Sequence, residues 1–65
     1  MGDEAIEPVI AELDNPKWRV RGAACWSLGA LGAKEALPKL EELLEDESSF
    51  VQYGAKDAIS RLKDE

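Results

Sequence analysis

The sequence predicts an all-α protein made of two consecutive helix–turn–helix repeats, an α-solenoid fragment with four antiparallel helices. Good helix formers (alanine, leucine, glutamate, lysine and arginine) make up about half of its 65 residues. Apolar residues recur at the three- and four-residue spacing of a helix rather than alternating as in a strand. Sliding the chain along itself by 31 residues aligns apolar positions of its two halves, such as Leu13 with Leu44 and Val20 with Val51. This self-similarity indicates an internal repeat.

The first unit, residues 3–32, contains two predicted helices. An apolar stripe at helical spacing predicts the first helix over residues 4–14. Asn15-Pro16 then combines a residue that caps helices with one that suits a first helical turn, so a second helix is predicted from there to about Leu31. Gly32 is expected to end this helix in the left-handed conformation.

The second unit, residues 33–63, repeats this plan. A helix is predicted over residues 35–46 and another over residues 49–63, which opens after two serines. Both carry an apolar stripe that continues the core of the first unit. The two units are expected to form a single domain, residues 1–65, because the connections between the helices are only a few residues long.

The predicted second helix lacks a charged face. A helical wheel turns one set of its residues towards its own unit: Val20, Ala24, Ser27, Leu28 and Leu31. The other side carries tryptophan and small residues where a surface helix would carry charge. We expect that side to be an uncovered protein interface, containing Trp18, Gly22, Cys25, Trp26 and Gly29. The alternative is that the first helix folds over it.

Composition excludes several classes of function. Fourteen acids against eight bases give a net charge of −6, which argues against nucleic acid as the partner because that binding depends on cationic side chains. No apolar run approaches the length that spans a bilayer, so a membrane partner is not expected. A single cysteine excludes an internal disulfide, and a reducing, cytoplasmic setting is predicted.

No catalytic constellation is found, and the chain is not expected to be an enzyme. Histidine is absent, which excludes serine or cysteine nucleophiles activated by histidine. Cys25 lies within a predicted helix beside Trp26, a setting that favours a buried, inert thiol over a nucleophile. The acid-rich run 41–47 follows a helix face and lacks the glycine of a calcium loop. No metal site and no cofactor are therefore predicted.

The segment from Trp18 to Ala24, with Leu28-Gly29 after it, resembles the HEAT-like repeats of phycobilisome bilin lyases. The whole chain is similar to small archaeal HEAT-repeat proteins and to the idealised helical-repeat binders based on them. The resemblance implies stacked helix pairs that bind proteins. By position, it implies recognition residues on the second helix at Trp18, Arg19, Gly22, Trp26 and Ala30.

The repeats of this family also carry a Val-Arg pair and an aspartate in the preceding loop. The pair is present as Val20-Arg21 and the aspartate as Asp46, whereas Asn15 and Gln52 depart from the pattern. These departures bear on whether a regular Asp–Arg ladder joins neighbouring repeats.

The predicted function is a non-enzymatic interaction module that forms a homodimer through the apolar side of its second helix. The expected partner is a second copy of the chain or another protein. Two alternatives stay open: the same side binds a different protein, or the chain is an engineered minimal repeat scaffold.

Overall fold

A computed structural model describes the backbone of residues 2–63 and the side chains of residues 6–63. Within this part of the chain there are four α-helices and no strands: α1 Gly2–Ala11, α2 Trp18–Leu31, α3 Leu37–Glu42 and α4 Ser49–Lys63. Short 3₁₀ turns lie at Glu12–Asp14, Lys34–Ala36 and Leu43–Glu45. The predicted all-α fold class is confirmed.

The first helix of each unit ends in the same way. The sequence predicts continuous helices over residues 4–14 and 35–46, but α1 and α3 are shorter and each tightens into a 3₁₀ turn. The backbone then becomes extended at Asn15 (φ −64°, ψ 136°) and Asp46 (φ −63°, ψ 151°). A 3₁₀ turn closes each end with a hydrogen bond over three residues, which satisfies carbonyls that an α-helix would leave open.

Helix α2 begins and ends with local hydrogen bonds that the sequence anticipates. The Asn15 side-chain oxygen accepts a hydrogen bond from the backbone N–H of Lys17 at 2.9 Å. The helix itself begins at Trp18, two residues after Pro16, which the sequence predicts as its first residue. At the other end Gly32 has φ 70°, and the N–H of Ala33 reaches back to the carbonyl of Leu28 at 3.1 Å. This Schellman arrangement confirms the predicted stop at Gly32.

The core lies between α2 and α4, with α1 packed on α2 and α3 packed on α4. Its fully buried large side chains come from all parts of the described chain: Leu13, Cys25, Leu28, Leu40, Val51 and Leu62. Leu31, which the helical wheel turns towards its own unit, is exposed. None of the charged side chains of the described residues is buried in this core, as expected from the cost of burying charge.

Helix α4 packs on the small residues of α2 at very close range. A Cβ atom added to Gly22 would overlap the Phe50 ring, and one added to Gly29 would lie 3.0 Å from Cα of Ala58. These contacts advance together along both helices, so α2 and α4 run in the same direction. Gly22 and Cys25 are buried by this contact.

The expectation that Gly22, Cys25 and Gly29 form an uncovered surface is therefore wrong. The small residues do admit a close helix, as their spacing suggests, but that helix is α4 of the same chain. Neither a second polypeptide nor α1 is needed to cover them. The error arises because α2 carries no charged residue on either side after Arg21, so the apolar pattern does not tell which side meets α1 and which meets the next unit.

Candidate protein interface

An aromatic ridge runs across the junction of α2 and α4. It consists of four side chains: Trp18, Trp26, Phe50 and Tyr53. Trp18 and Phe50 meet edge to face with ring centroids 5.5 Å apart, and Trp26 and Tyr53 are tilted with centroids 6.1 Å apart. Phe50 and Tyr53 are neighbours on one face of α4 because they are three residues apart. The ridge therefore joins both units of the chain.

Much of the aromatic ridge is open to solvent. The exposed fractions of Trp18, Phe50 and Tyr53 are 44%, 42% and 65%, and these are three of the five large apolar side chains that the described chain leaves exposed. Trp26 is half-buried. Exposed aromatic clusters of this kind are typical of protein interfaces, where tryptophan and tyrosine dominate the binding energy.

Two glycines shape the aromatic ridge. Phe50 lies directly over Gly22, where any side chain would displace its ring. Gly54 leaves room for the Trp26 indole, since a Cβ atom there would be 3.3 Å from the indole nitrogen. The positions of the aromatic rings thus depend on the close approach of the α2 and α4 backbones at these glycines, and not on the aromatic residues alone.

Cations lie beside the ridge at the start of α2. The guanidinium carbon of Arg19 is 5.1 Å from the Trp18 ring centroid, a cation–π distance. A shallow pocket is lined by Lys17, Trp18, Arg19 and Val20. Trp18 also lines a second pocket, together with Pro16, Arg21, Glu47, Ser48, Ser49 and Phe50. Trp18 is therefore shared by a basic pocket and a mixed one.

A bidentate ion pair ties the loop between α3 and α4 to the first turn of α2, next to this end of the ridge. Arg21 donates from Nε and Nη2 to the two carboxylate oxygens of Asp46 at 2.9 and 3.0 Å, and its Nη1 donates to the carbonyl of Asn15 at 2.8 Å. The side chains of Arg21 and Asp46 are 13% and 9% exposed. In the second unit the Gln52 amide donates instead to the backbone carbonyl of Asp46. One Asp–Arg rung of the ladder is thus present.

Burial alone would raise the pKa of Asp46, but its partners outweigh that effect. The hydrogen bond from Arg21, a second from the backbone N–H of Ser48 at 2.9 Å and the attraction of the guanidinium together lower the pKa of this carboxyl below its ordinary value. The carboxylate is accordingly ionised at neutral pH and holds the junction.

The thiol of Cys25 faces α4 in the core. Burial, with a further contribution from Asp46, raises its pKa to about 11, so it carries no thiolate at neutral pH and is a poor nucleophile. Among the side chains of residues 6–63, no three histidine, cysteine or acidic groups converge in a way that could hold a metal ion.

The predicted interface residues separate into two groups. Those on the surface are Trp18, Arg19, Trp26 and Ala30, and those covered by α4 are Gly22, Cys25 and Gly29. The sequence prediction misses Phe50 and Tyr53, because the pattern of α4 indicates a mostly polar outward side. Phe50 and Tyr53 are three residues apart near the start of the last predicted helix. This spacing places both rings on one face of that helix, and it is the signal that could have identified them.

A second surface is the outer face of α2, on the side away from α4. It is an arc of uncharged residues: Val20, Ala23, Ser27, Ala30 and Leu31. Leu31 is 52% exposed. The 31-residue repeat aligns Ala23 and Ser27 with Gly54 and Ala58, the positions through which α4 docks on α2.

Comparison with known families finds one match, in which a model described as HEAT repeats covers residues 3–65. No curated protein and no solved structure gives a significant match. Within the described residues, none of the helices has the length and apolar character needed to cross a membrane.

Proposed function

The chain belongs to the HEAT repeat family, whose repeats generally mediate protein–protein interaction, and we propose that its aromatic ridge is the surface that binds another protein. The observation that carries this proposal is the exposure of Trp18, Phe50 and Tyr53 side by side across α2 and α4. A soluble helix pair normally covers such rings or replaces them with charge.

The HEAT family is typically a non-enzymatic scaffold, and we propose the same for this chain. The raised pKa of Cys25 supports it, since the thiol is protonated at neutral pH. The net charge of −6 supports a protein partner over a nucleic acid. A buried free cysteine also suits a reducing compartment such as the cytoplasm. We propose that residues 3–32 and 33–63 are the two repeats of one domain.

Replacing Tyr53 by serine is expected to weaken binding to the ridge about tenfold, the scale of losing one contributing aromatic at an interface. Peptides selected from a phage-displayed library on the full chain would be titrated against the wild type and the variant. Leu31→Ser is the matched control, because Leu31 is also a large, exposed apolar side chain but lies on the outer face of α2. Equal binding to the wild type and the Tyr53 variant would contradict the proposal.

Self-association is the second candidate, and the outer face of α2 favours it. The face is uncharged although the chain carries a net charge of −6, so two copies can approach there without opposing carboxylates. The equivalent face of α4 already docks on a helix within the chain. A two-fold arrangement that pairs the outer faces of two α2 helices is the commonest way to close such a contact.

Replacing Leu31 by glutamate is expected to dissociate this dimer, because a carboxylate would then be desolvated on each side of the two-fold contact. Sedimentation equilibrium over a wide dilution series measures the effect. Tyr53→Glu is the control with the same charge change on the ridge. A wild-type chain that stays monomeric at every concentration would exclude self-association and leave the ridge proposal standing.

A further inference from the structure

Two cations beside Trp18 are without a carboxylate partner in the described chain. Neither Lys17 nor Arg19 takes part in an ion pair with the described residues. The cations that do form ion pairs in this part of the chain include Arg21, Lys39, Arg61 and Lys63. This is unexpected in a chain with fourteen acids and eight bases. Arg19 instead contacts the face of the Trp18 ring.

The position of these cations is locally unfavourable. Lys17 precedes the first residue of α2, and the first turn contains no acidic residue. Cations at a helix N-terminus oppose the helix dipole by about 0.3–1 kcal/mol each. A residue pattern that contradicts its local structure is a common mark of a binding surface.

The same end of α2 offers an apolar contact beside the charge. Trp18 is 44% exposed and forms one wall of the pocket that Lys17 and Arg19 line. The other nearby cation, Arg21, is already neutralised by Asp46. The pocket of Lys17 and Arg19 is therefore lined by two cations and no acid, while the other pocket that Trp18 lines includes Glu47.

We propose that the partner is an acidic peptide segment that presents carboxylates to Lys17 and Arg19 and an apolar side chain to Trp18. This inference rests on the ridge being the protein-binding surface, and it adds the chemistry of the partner. Charge complementarity selects this occupant. The net charge of −6 does not prevent it, because the Debye length is about 8 Å at physiological ionic strength and the nearest charges dominate.

The test uses the full chain and three labelled, amidated peptides at physiological salt. Each has one central phenylalanine, flanked by glutamates, by glutamines or by lysines. Fluorescence anisotropy is expected to show the glutamate peptide binding about tenfold more tightly than the glutamine peptide, the size of effect that two exposed charge pairs give together. The lysine peptide is expected to bind most weakly.

Arg19→Glu is expected to abolish the preference for the glutamate peptide. Lys63→Glu is the matched control, because it makes the same charge change at the far end of α4 and should leave the preference intact. Trp18→Ala should weaken all three peptides. Each variant is first checked for an unchanged helical circular dichroism spectrum.

The outcomes separate this inference from the proposed function. If the three peptides bind alike and Trp18→Ala weakens them all, the acidic partner is wrong and the ridge stands. If Trp18→Ala has no effect, the ridge itself is wrong. If a polythymidine oligonucleotide binds more tightly than the glutamate peptide, the partner is a nucleic acid and the acidic peptide is wrong. If the chain forms a dimer that Arg19→Glu dissociates, the occupant is a second copy of the chain and the acidic peptide is again wrong. Absence of binding by every peptide would also overturn it.

Discussion

Replacing Asp46 by alanine is expected to destabilise the protein by about 2 kcal/mol, less than the cost of about 3–5 kcal/mol for a fully buried ion pair, because this pair is only partly buried. The substitution leaves the Arg21 guanidinium, whose side chain is only 13% exposed, with one acceptor, the carbonyl of Asn15. It also removes the acceptor for the backbone N–H of Ser48. A domain of this size has a free energy of unfolding of roughly 3–10 kcal/mol, so a large part of it would be lost.

Urea unfolding followed by circular dichroism measures this loss, and the chain supplies its own control. Asp57 forms an ion pair of the same length with Arg61, but within one helix and with side chains that are far more exposed. Asp57→Ala should therefore cost only about 0.3–0.5 kcal/mol. Similar losses for the two variants would show that the Arg21–Asp46 pair does not join the units as described.

The same pair predicts how stability depends on pH. Because the folded-state pKa of Asp46 lies below the ordinary value of 3.8, its ionised form stabilises the folded protein. That contribution is complete above the ordinary value and is lost as the pH falls from there through the lower folded-state pKa. The difference in unfolding free energy between wild type and Asp46→Asn should therefore shrink on acidification, whereas a constant difference would contradict it.

The sequence predicts the elements of the fold better than it predicts their faces. Gly32 marks the end of α2 in the sequence, because the left-handed backbone conformation that ends the helix favours glycine. Helix α4 is predicted at its observed bounds, Ser49–Lys63, because its polar and apolar residues alternate with helical period. In both cases the signal is local.

The candidate site depends on long-range contacts, which local patterns do not contain. Trp18 and Trp26 stand out by residue type, but their partners Phe50 and Tyr53 come from the other unit. Which side of α2 those partners cover follows only from the docking of α4. The Arg21–Asp46 pair is visible in the sequence as two residues of a family pattern, yet its bidentate geometry requires the loop conformation at Asp46.

Replacing Gly29 by leucine is expected to destabilise the protein by about 2 kcal/mol, the second large effect that the α2–α4 contact predicts. A Cβ atom at Gly29 would lie 3.0 Å from Cα and 3.2 Å from Cβ of Ala58, and Ala58 is fully buried. The obstacle is backbone, so the two helices must separate. Overpacking of this kind costs about 1–3 kcal/mol, while the better helix propensity of leucine returns less than about 1 kcal/mol.

The control for this prediction is the next residue in the same helix. Ala30 is exposed, so Ala30→Leu should change the unfolding free energy by no more than about 0.5 kcal/mol. Thermal and urea unfolding of both variants give the comparison. A large loss at Gly29 alone places α4 on that side of α2, because only a helix packed there opposes the new side chain. Equal, small effects at both positions would mean that the Gly29 side is uncovered, as the sequence pattern alone indicates, and that the aromatic ridge is not assembled by α4.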